Sequence, residues 1–457
     1  MLSRTLLPYT SDATDYYQAI ADLPWAVWLD SGGRDRYDIL TAKPLVKLIT
    51  QGEQTEICDA VGKRVSRVNP FELLRAQLGN TVDNEEDIKF AGGALGYWGY
   101  DLARLQIQLP SLAKNSENLP EMAIGIYDWA IQLDHQEKTA QLVSFNRYAQ
   151  TAHDLQQITE RLSLMRAMPK ADFQVHGEIK SNFSRAEYNQ AFATIQAYLQ
   201  AGDCYQINLA QRFYANASGD AFGAYCKLRQ LSPSPYSAFL NLPHVQILCA
   251  SPERFLQLKQ GKVETKPIKG TRPSMADQQL NLQMVQDLRT NPKDRAENLM
   301  IVDLLRNDLS KNCAPGSIKV PKLFEVESYA TVHHLVSTIT GELAAGHDAL
   351  ALLQDCFPGG SVTGAPKVRA MQIIEQLEPQ RRGLYCGTIG YIGFDGNMDC
   401  NIAIRTLIYA NGEIRGWAGG GIVADSEQDA EYMETMDKAA AMLSMLQFFG
   451  GSLRMED

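Results

Sequence analysis

Ser251-Pro-Glu-Arg-Phe-Leu-Gln-Leu-Lys259 runs into Gln260-Gly261 and on through Lys262-Val-Glu-Thr-Lys-Pro-Ile268. Two strand-like runs about a two-residue Gln-Gly step predict a β-hairpin. Counting outward from the turn sets Glu253 opposite Ile268, and Lys269 follows at once in Pro267-Ile-Lys-Gly-Thr-Arg-Pro273. A carboxyl group and an amine therefore meet at one end of the hairpin, where Pro and Gly can re-aim the lysine. By spacing alone, a surface salt bridge is the alternative. A rigid Pro-Ile-Lys-Gly-Thr loop is an odd frame for a solvated lysine, however. Lys266 and Arg272 nearby are expected to favour its neutral, nucleophilic form.

Outward from this hairpin, strand and helix signals mix without the regular alternation of a doubly wound sheet. The expected class is α+β, with two packed, mostly antiparallel β-sheets flanked by helices. An N-terminal region over 1–165 ends in a helix through Leu155, Ile158, Leu162 and Leu164. Residues 167–183 lack a helical stripe and read as a connector. Ser184 and Glu187 then form a capping box ahead of Tyr188, Phe192, Ile195 and Leu199, opening a second region over 184–450. Gly93-Ala-Leu-Gly-Tyr-Trp-Gly-Tyr-Asp101 echoes Gly387-Thr-Ile-Gly-Tyr-Ile-Gly-Phe-Asp395. Similar strands in both regions point to two related sheets in one body, with glycines allowing close approach between layers.

Composition narrows the function. The 457 residues are 45% hydrophobic, ordinary for a globular chain, and 43 basic against 53 acidic side chains give a net charge of −10. An acidic chain without a Lys/Arg-rich block is a poor nucleic-acid binder, and an anionic ligand would need a few local cations or a metal. No run of 18 apolar residues exists for a membrane span, and the start does not read as a signal peptide. Eight cysteines without a CxxC pair fit neither a zinc cluster nor a disulfide framework. The expectation is a reduced, cytoplasmic protein. Gly359-Gly-Ser-Val-Thr-Gly364-Ala-Pro-Lys367 is not a Walker A loop, because Ala-Pro separates glycine from lysine. Gly419-Gly-Gly421 is no dinucleotide fingerprint, although its backbone N–H groups could meet an anion. No Gly-x-Ser-x-Gly or Gly-x-Cys-x-Gly elbow supplies a hydrolase or glutaminase nucleophile.

A second constellation is acidic. Asp294 and Glu297 are spaced i, i+3 before an apolar run, and Glu431, Glu434 and Lys438 are spaced i, i+3, i+7. Four carboxylates on two helices suit Mg²⁺, a hard cation that takes oxygen ligands. Two solvated helix faces are the alternative from spacing alone.

Ser-Pro-Glu-Arg-Phe, Pro-Ile-Lys-Gly-Thr-Arg-Pro, Ala-Glu-Asn-Leu-Met-Ile-Val-Asp-Leu-Leu-Arg-Asn-Asp-Leu, His-His-Leu-Val-Ser, Gly-Gly-Ser-Val-Thr-Gly-Ala-Pro-Lys and Ala-Gly-Gly-Gly-Ile-Val-Ala-Asp-Ser appear in this order. The set resembles the chorismate-using enzymes, which include anthranilate, aminodeoxychorismate, isochorismate and salicylate synthases. The resemblance is dense over 184–450 and looser before it. It implies the α/β/β/α sandwich of anthranilate synthase component I, with chorismate and Mg²⁺ deep between the sheets. It further implies that Glu297 and Glu434 hold the metal, with Asp294 and Glu431 ligating directly or through water. Arg405, Tyr385 and the backbone at Gly420 and Gly421 would hold the enolpyruvyl carboxylate, with Lys438 adding charge. His334 and Ser361 would line the ring. Glu253 would be the general acid for the departing C4 hydroxyl, which requires a raised pKa.

Two positions indicate the branch. The lysine base that activates water in isochorismate and salicylate synthases is replaced by Gln206. The alanine usual in the anthranilate-forming loop is replaced by Lys269, which resembles the 4-aminating branch, where lysine attacks C2 and ammonia then displaces it at C4. The implied role is amination of chorismate for 4-aminobenzoate and folate synthesis, with ammonia from a glutamine amidotransferase subunit. Anthranilate synthesis and an idle tryptophan-binding scaffold are the competing roles. Leu29, Ser31, Pro235, Tyr236 and Ser237 resemble the segments with which anthranilate synthases bind tryptophan. Asp30 stands there for the usual Glu, and Ser237 for a common Met.

Overall fold

The computed structural model describes residues 2–84, 88–164, 172–275, 277–329 and 332–453. The opening hairpin forms as read. Gln260 and Gly261 take positive φ (50° and 77°), the type I′ geometry that matches strand twist. Gln257 pairs with Glu264, and Lys259 with Lys262. The ladder stops short of Glu253 itself. The backbone bulges, Ile268 pairs with Val336 in the strand Val332–Glu342, and the Ile268 amide hydrogen-bonds the Glu253 carboxyl. Glu253 and residue 268 thus meet through a side chain rather than across a ladder.

Two large sheets stack face to face, and all but one of the described strand pairings are antiparallel. In the first, Ala26–Asp30, Tyr236–Leu242, Val245–Ser251, Thr406–Ala410, Glu413–Ile422 and Gln206–Gly219 lie side by side. The second runs from Ile268–Pro273 through Val332–Glu342, Lys262–Thr265, Arg254–Lys259, Met398–Asn401 and Thr388–Gly393 to Gly93–Trp98 and its neighbours. Each sheet therefore takes strands from both sides of residue 165.

The core forms because the facing strands are apolar. Val27, Leu240 and Ile247 of the first sheet pack in one cluster with Leu95, Ile124 and Ile389 of the second. Helices cover the outer faces. Phe222–Leu231 and Gln428–Phe448 lie in the cluster outside the first sheet, while Pro70–Leu78 and Pro292–Ser310 pack against the second. Helix starts follow their chemistry. The Ser184–Glu187 capping box opens Arg185–Ala201, and Asn291 accepts the Asp294 N–H with Pro292 at the first helical position.

Two expectations change. The connector at 167–183 contains the strand Phe173–Ser181, which pairs with Gln206–Gly219. The part at 167–171 lies outside the described residues. The echoing strands do not represent separate sheets. Gly93–Trp98 and Thr388–Gly393 pair with each other, Gly96 opposite Gly390. Their glycines permit close approach within the sheet, since a Cβ on Gly93 (φ 143°) would lie 2.3 Å from the Ile392 carbonyl oxygen.

Candidate active site

The site forms where the chain twice changes sheets. Val245–Ser251 belongs to the first sheet and Arg254–Lys259 to the second, so Pro252 and Glu253 form the crossover. The return passes from Met398–Asn401 to Thr406–Ala410 and places Arg405 at its end. The two crossovers are tied together. Ile402 N–H donates to Glu253 O (3.0 Å), Ser251 Oγ to Ile402 O (2.6 Å), and Ala250 N–H to Arg405 O (3.1 Å). Arg405 sits at φ 49°, an uncommon backbone for a non-glycine residue that the surroundings hold in place.

Ser361 joins the two expected catalytic groups. Its hydroxyl donates to Glu253 Oε1 at 2.7 Å, and its carbonyl accepts from Lys269 Nζ at 3.1 Å. Burial raises the Glu253 pKa against Ser361, Lys269, the Ile268 amide and Lys438, keeping the carboxyl group suited to proton donation. Burial lowers the Lys269 pKa, and Lys438 adds to the effect against Glu297, Glu253 and Glu434. Lys266 and Arg272 do not supply this effect, contrary to expectation. Lys266 pairs with Glu327 (2.6 Å), while Arg272 pairs with Asp287 (2.7 Å) and Asp294 (2.8 Å). The register shift between Ile268 and Thr271 re-aims Lys269, as bulges do beside active sites.

A cavity is lined by His334, Arg405 and Lys438, with Pro252 and Tyr329 among its walls. The Arg405 guanidinium has no hydrogen-bond or ion-pair partner among the described residues, and burial lowers its pKa. An unpaired guanidinium beside a cavity is an anion receptor. His334 Nδ1 lies 2.9 Å from Thr271 Oγ1. Burial, with Arg405 nearby, pushes its pKa down to about 3, so the ring is neutral. Tyr385 is buried and stacked on Trp417 at 6.1 Å. Gly420 and Gly421 pair with Leu209 and Asn208 in the adjoining strand.

The acidic group draws on two helices, Pro292–Ser310 and Gln428–Phe448. Lys438 Nζ lies 2.5 Å from Glu434 Oε1 and donates to Gly419 O at 3.0 Å. Although burial raises the Glu434 pKa, Lys438 brings it below the usual value. Burial, with Glu431 and Glu434 nearby, raises that of Glu297 against Lys269 and Lys293. Glu431 Oε1 accepts from Ser426 Oγ (2.5 Å) and pairs with Lys293 Nζ (3.1 Å). Asp294 is engaged by Arg272.

As they stand, no three His, Cys, Asp or Glu side chains among the described residues gather into a ready-made metal site. Lysines instead hold two of the carboxylates. The donor chemistry nonetheless fits a hard dication. Glu431 Oε2 is buried without a hydrogen-bond partner among the described residues, and Gly420 leaves room for the group. A Cβ there would lie 3.0 Å from Glu431 Oε2 and 3.5 Å from Glu434 Oε1.

Sequence reasoning missed Lys293 and Ser426 as partners of Glu431. The signal for Lys293 was its place directly before Asp294. Gln206, marked only as the missing base, is wholly buried, and both ends of its carboxamide lack partners among the described residues.

A separate cleft between the sheets is lined by Leu29, Pro235, Tyr236 and Ser237, together with Asp30, Lys89 and Asp399. Ser31 is not part of its lining. Its N–H donates to Asp38 (2.7 Å), and its Oγ accepts from the Gly33 N–H (3.2 Å). Burial and Asp38 raise the Asp30 pKa to about 6 against Arg229.

Comparison with known proteins places this geometry. The family model for chorismate binding enzymes matches residues 26–444, so the chain belongs to that family. It is 46% identical over 449 residues to aminodeoxychorismate synthase component 1 of Salmonella typhimurium, covering 96% of this chain and 97% of that protein. It is likewise 46% identical over 450 residues to aminodeoxychorismate synthase component 1 of Escherichia coli, covering 97% and 98%. The crystal structure of anthranilate synthase component I from Streptococcus pneumoniae superposes with a TM-score of 0.80 at 31% identity, covering 89% of this chain and 92% of that one.

Proposed function

We propose that the chain aminates chorismate at C4, giving 4-amino-4-deoxychorismate for 4-aminobenzoate and folate synthesis. The observation that carries this reading is the Lys269 amine, joined through Ser361 to a carboxyl group whose pKa burial raises. The 46% identity to relatives named for this reaction supports it.

Arg405, backed by Tyr385 and the Gly420–Gly421 backbone, holds the enolpyruvyl carboxylate, and the neutral His334 ring bounds the cyclohexadiene. When bound by Glu297 and Glu434, with Glu431 and Asp294 directly or through water, Mg²⁺ would neutralise the ring carboxylate. Burial, which lowers the Lys269 pKa, favours the neutral, nucleophilic form of its amine. Its nitrogen forms a bond to C2, both ring double bonds shift (C1=C2 to C1=C6 and C5=C6 to C4=C5), and the C4–oxygen bond breaks as Glu253 delivers its proton to the departing hydroxyl, which leaves as water. Ammonia then attacks C4, both double bonds return, and the C2–nitrogen bond to Lys269 breaks. Glu253 recovers a proton as the ammonium loses one. The enolpyruvyl group is retained throughout.

Without a glutaminase nucleophile in its sequence, the chain takes its ammonia from a separate amidotransferase subunit. The designation "component 1" in the relatives supports a second component. The cleft around Leu29, Pro235, Tyr236 and Ser237 is proposed to hold tryptophan, with Ser31 supporting its wall. No helix among the described residues is long and apolar enough to cross a membrane. Eight free thiols support a reducing, cytoplasmic setting.

The test is product identity. Purified chain given chorismate, ammonium and Mg²⁺ should form the 4-amino product, and glutamine should replace ammonium only when a glutaminase subunit is added. Anthranilate as the product, or turnover with glutamine alone, would overturn the proposal.

A further inference from the structure

We propose that Arg34 is an entrance residue that recruits the dianionic substrate to the cavity. This rests on chorismate being the ligand of that cavity. Arg34 lines the same space as His334, Arg405 and Lys438, yet it is exposed and comes from a distant part of the sequence. Its side chain has no hydrogen-bond or ion-pair partner among the described residues. Its charged neighbours do. Arg36 is held by Asp134 at 2.7 Å, and Asp35 accepts the Arg36 N–H at 2.8 Å.

The loop that carries Arg34 is tightly built. Arg34 N–H donates to Ser31 O (2.8 Å), Gly32 N–H to Asp30 Oδ1 (2.7 Å), and Ser31 N–H to Asp38 Oδ1 (2.7 Å). Gly32 (φ 56°) packs directly on the neighbouring wall, for a Cβ there would lie 2.6 Å from Ser234 O. Ser234 lines the cavity too, so the loop seats Arg34 on the cavity wall itself.

Charge explains the placement. A chain of net charge −10 repels a dicarboxylate at long range. Lys438 is already compensated by Glu434, and Asp437 is the one acid among the described residues lining the cavity. Arg405 is the uncompensated cation inside, and Arg34 supplies a second one that solvent can reach.

The experiment compares Arg34→Gln, Arg34→Glu and Arg34→Lys with the parent at low ionic strength. At low ionic strength a unit charge acting on a dianion about 10 Å away predicts a KM for chorismate about two- to fourfold higher in Arg34→Gln. The increase should be larger in Arg34→Glu and absent in Arg34→Lys, with kcat within about twofold in all three. The differences should shrink as salt rises to about 0.5 M. Calorimetric binding of chorismate should give the same ratios and does so whether or not turnover occurs, which separates this claim from the assigned reaction. A parental KM and Kd in Arg34→Gln, a lysine variant as impaired as the glutamine one, or a salt-independent effect would overturn it.

Discussion

Ser361→Ala would remove one hydroxyl from the bridge between Glu253 and Lys269 while leaving the main-chain carbonyl that receives the lysine. The hydroxyl donates to Glu253 at 2.7 Å, with both side chains buried. A hydrogen bond to a charged group contributes about 1.5–3 kcal/mol. It favours the ionised form and so restrains a pKa that burial has already raised. At about 1.4 kcal/mol per unit, its loss should raise the Glu253 pKa by roughly one to two units. Glu253 must be protonated to act as an acid, so the alkaline limb of the kcat/KM–pH profile, which reports the free enzyme, should move up by that amount. Ser361→Thr retains the donor and should retain the parental limb. Stability has a defined sign as well. A carboxyl group whose folded pKa lies above its unfolded value contributes stability below the unfolded pKa and loses it as pH rises through the folded one. The melting-temperature deficit of Ser361→Ala should therefore widen with pH. An alkaline limb that stays in place, or moves to lower pH, would refute the assignment of Glu253 as the acid.

Glu297→Gln should weaken Mg²⁺ binding at least tenfold by calorimetry, and chelation should abolish parental turnover until Mg²⁺ is restored; full activity with metal verified absent would exclude the metal site. Tryptophan should bind the inter-sheet cleft and raise the melting temperature with little effect on kcat, whereas no heat and no melting shift at excess ligand would count against it. With its pKa held near 3, the His334 ring should show no NMR inflection between pH 5 and 8, and one near 6.5 would contradict its burial. Because its folded pKa lies below the unfolded value, His334 should cost stability increasingly as pH falls from about 6.5 toward 3.

What the sequence discloses depends on the range over which each interaction acts. The Gln260–Gly261 turn and the Ser184–Glu187 cap are local and form as read. Phe173–Ser181 escaped notice because its apolar alternation is interrupted near Gly177, where the pairing shifts between His176 and Lys180. The likeness of Gly93–Trp98 and Thr388–Gly393 was visible, but their pairing was not, since strand order is set by the whole sheet. Motifs singled out Glu253, Lys269 and Ser361, which the fold sets side by side, while their electrostatics were not legible. The partners of Lys266 and Arg272 lie 15 to 61 residues away, so only the folded chain reveals that both cations are already engaged. Nor does local sequence show that burial and Lys438, rather than those neighbours, depress the Lys269 pKa.

The central claim is that the Lys269 amine occupies C2 and so directs ammonia to C4. Its most direct test is the product mixture formed by Lys269→Ala from chorismate, ammonium and Mg²⁺, resolved by chromatography and compared with the parent. Chorismate affinity should be largely retained, because Arg405 and the rest of the cavity remain. The account predicts 4-amination slowed by at least tenfold, together with the appearance of a 2-aminated product as space opens beside C2. Formation of the 4-amino product at the parental rate would contradict it.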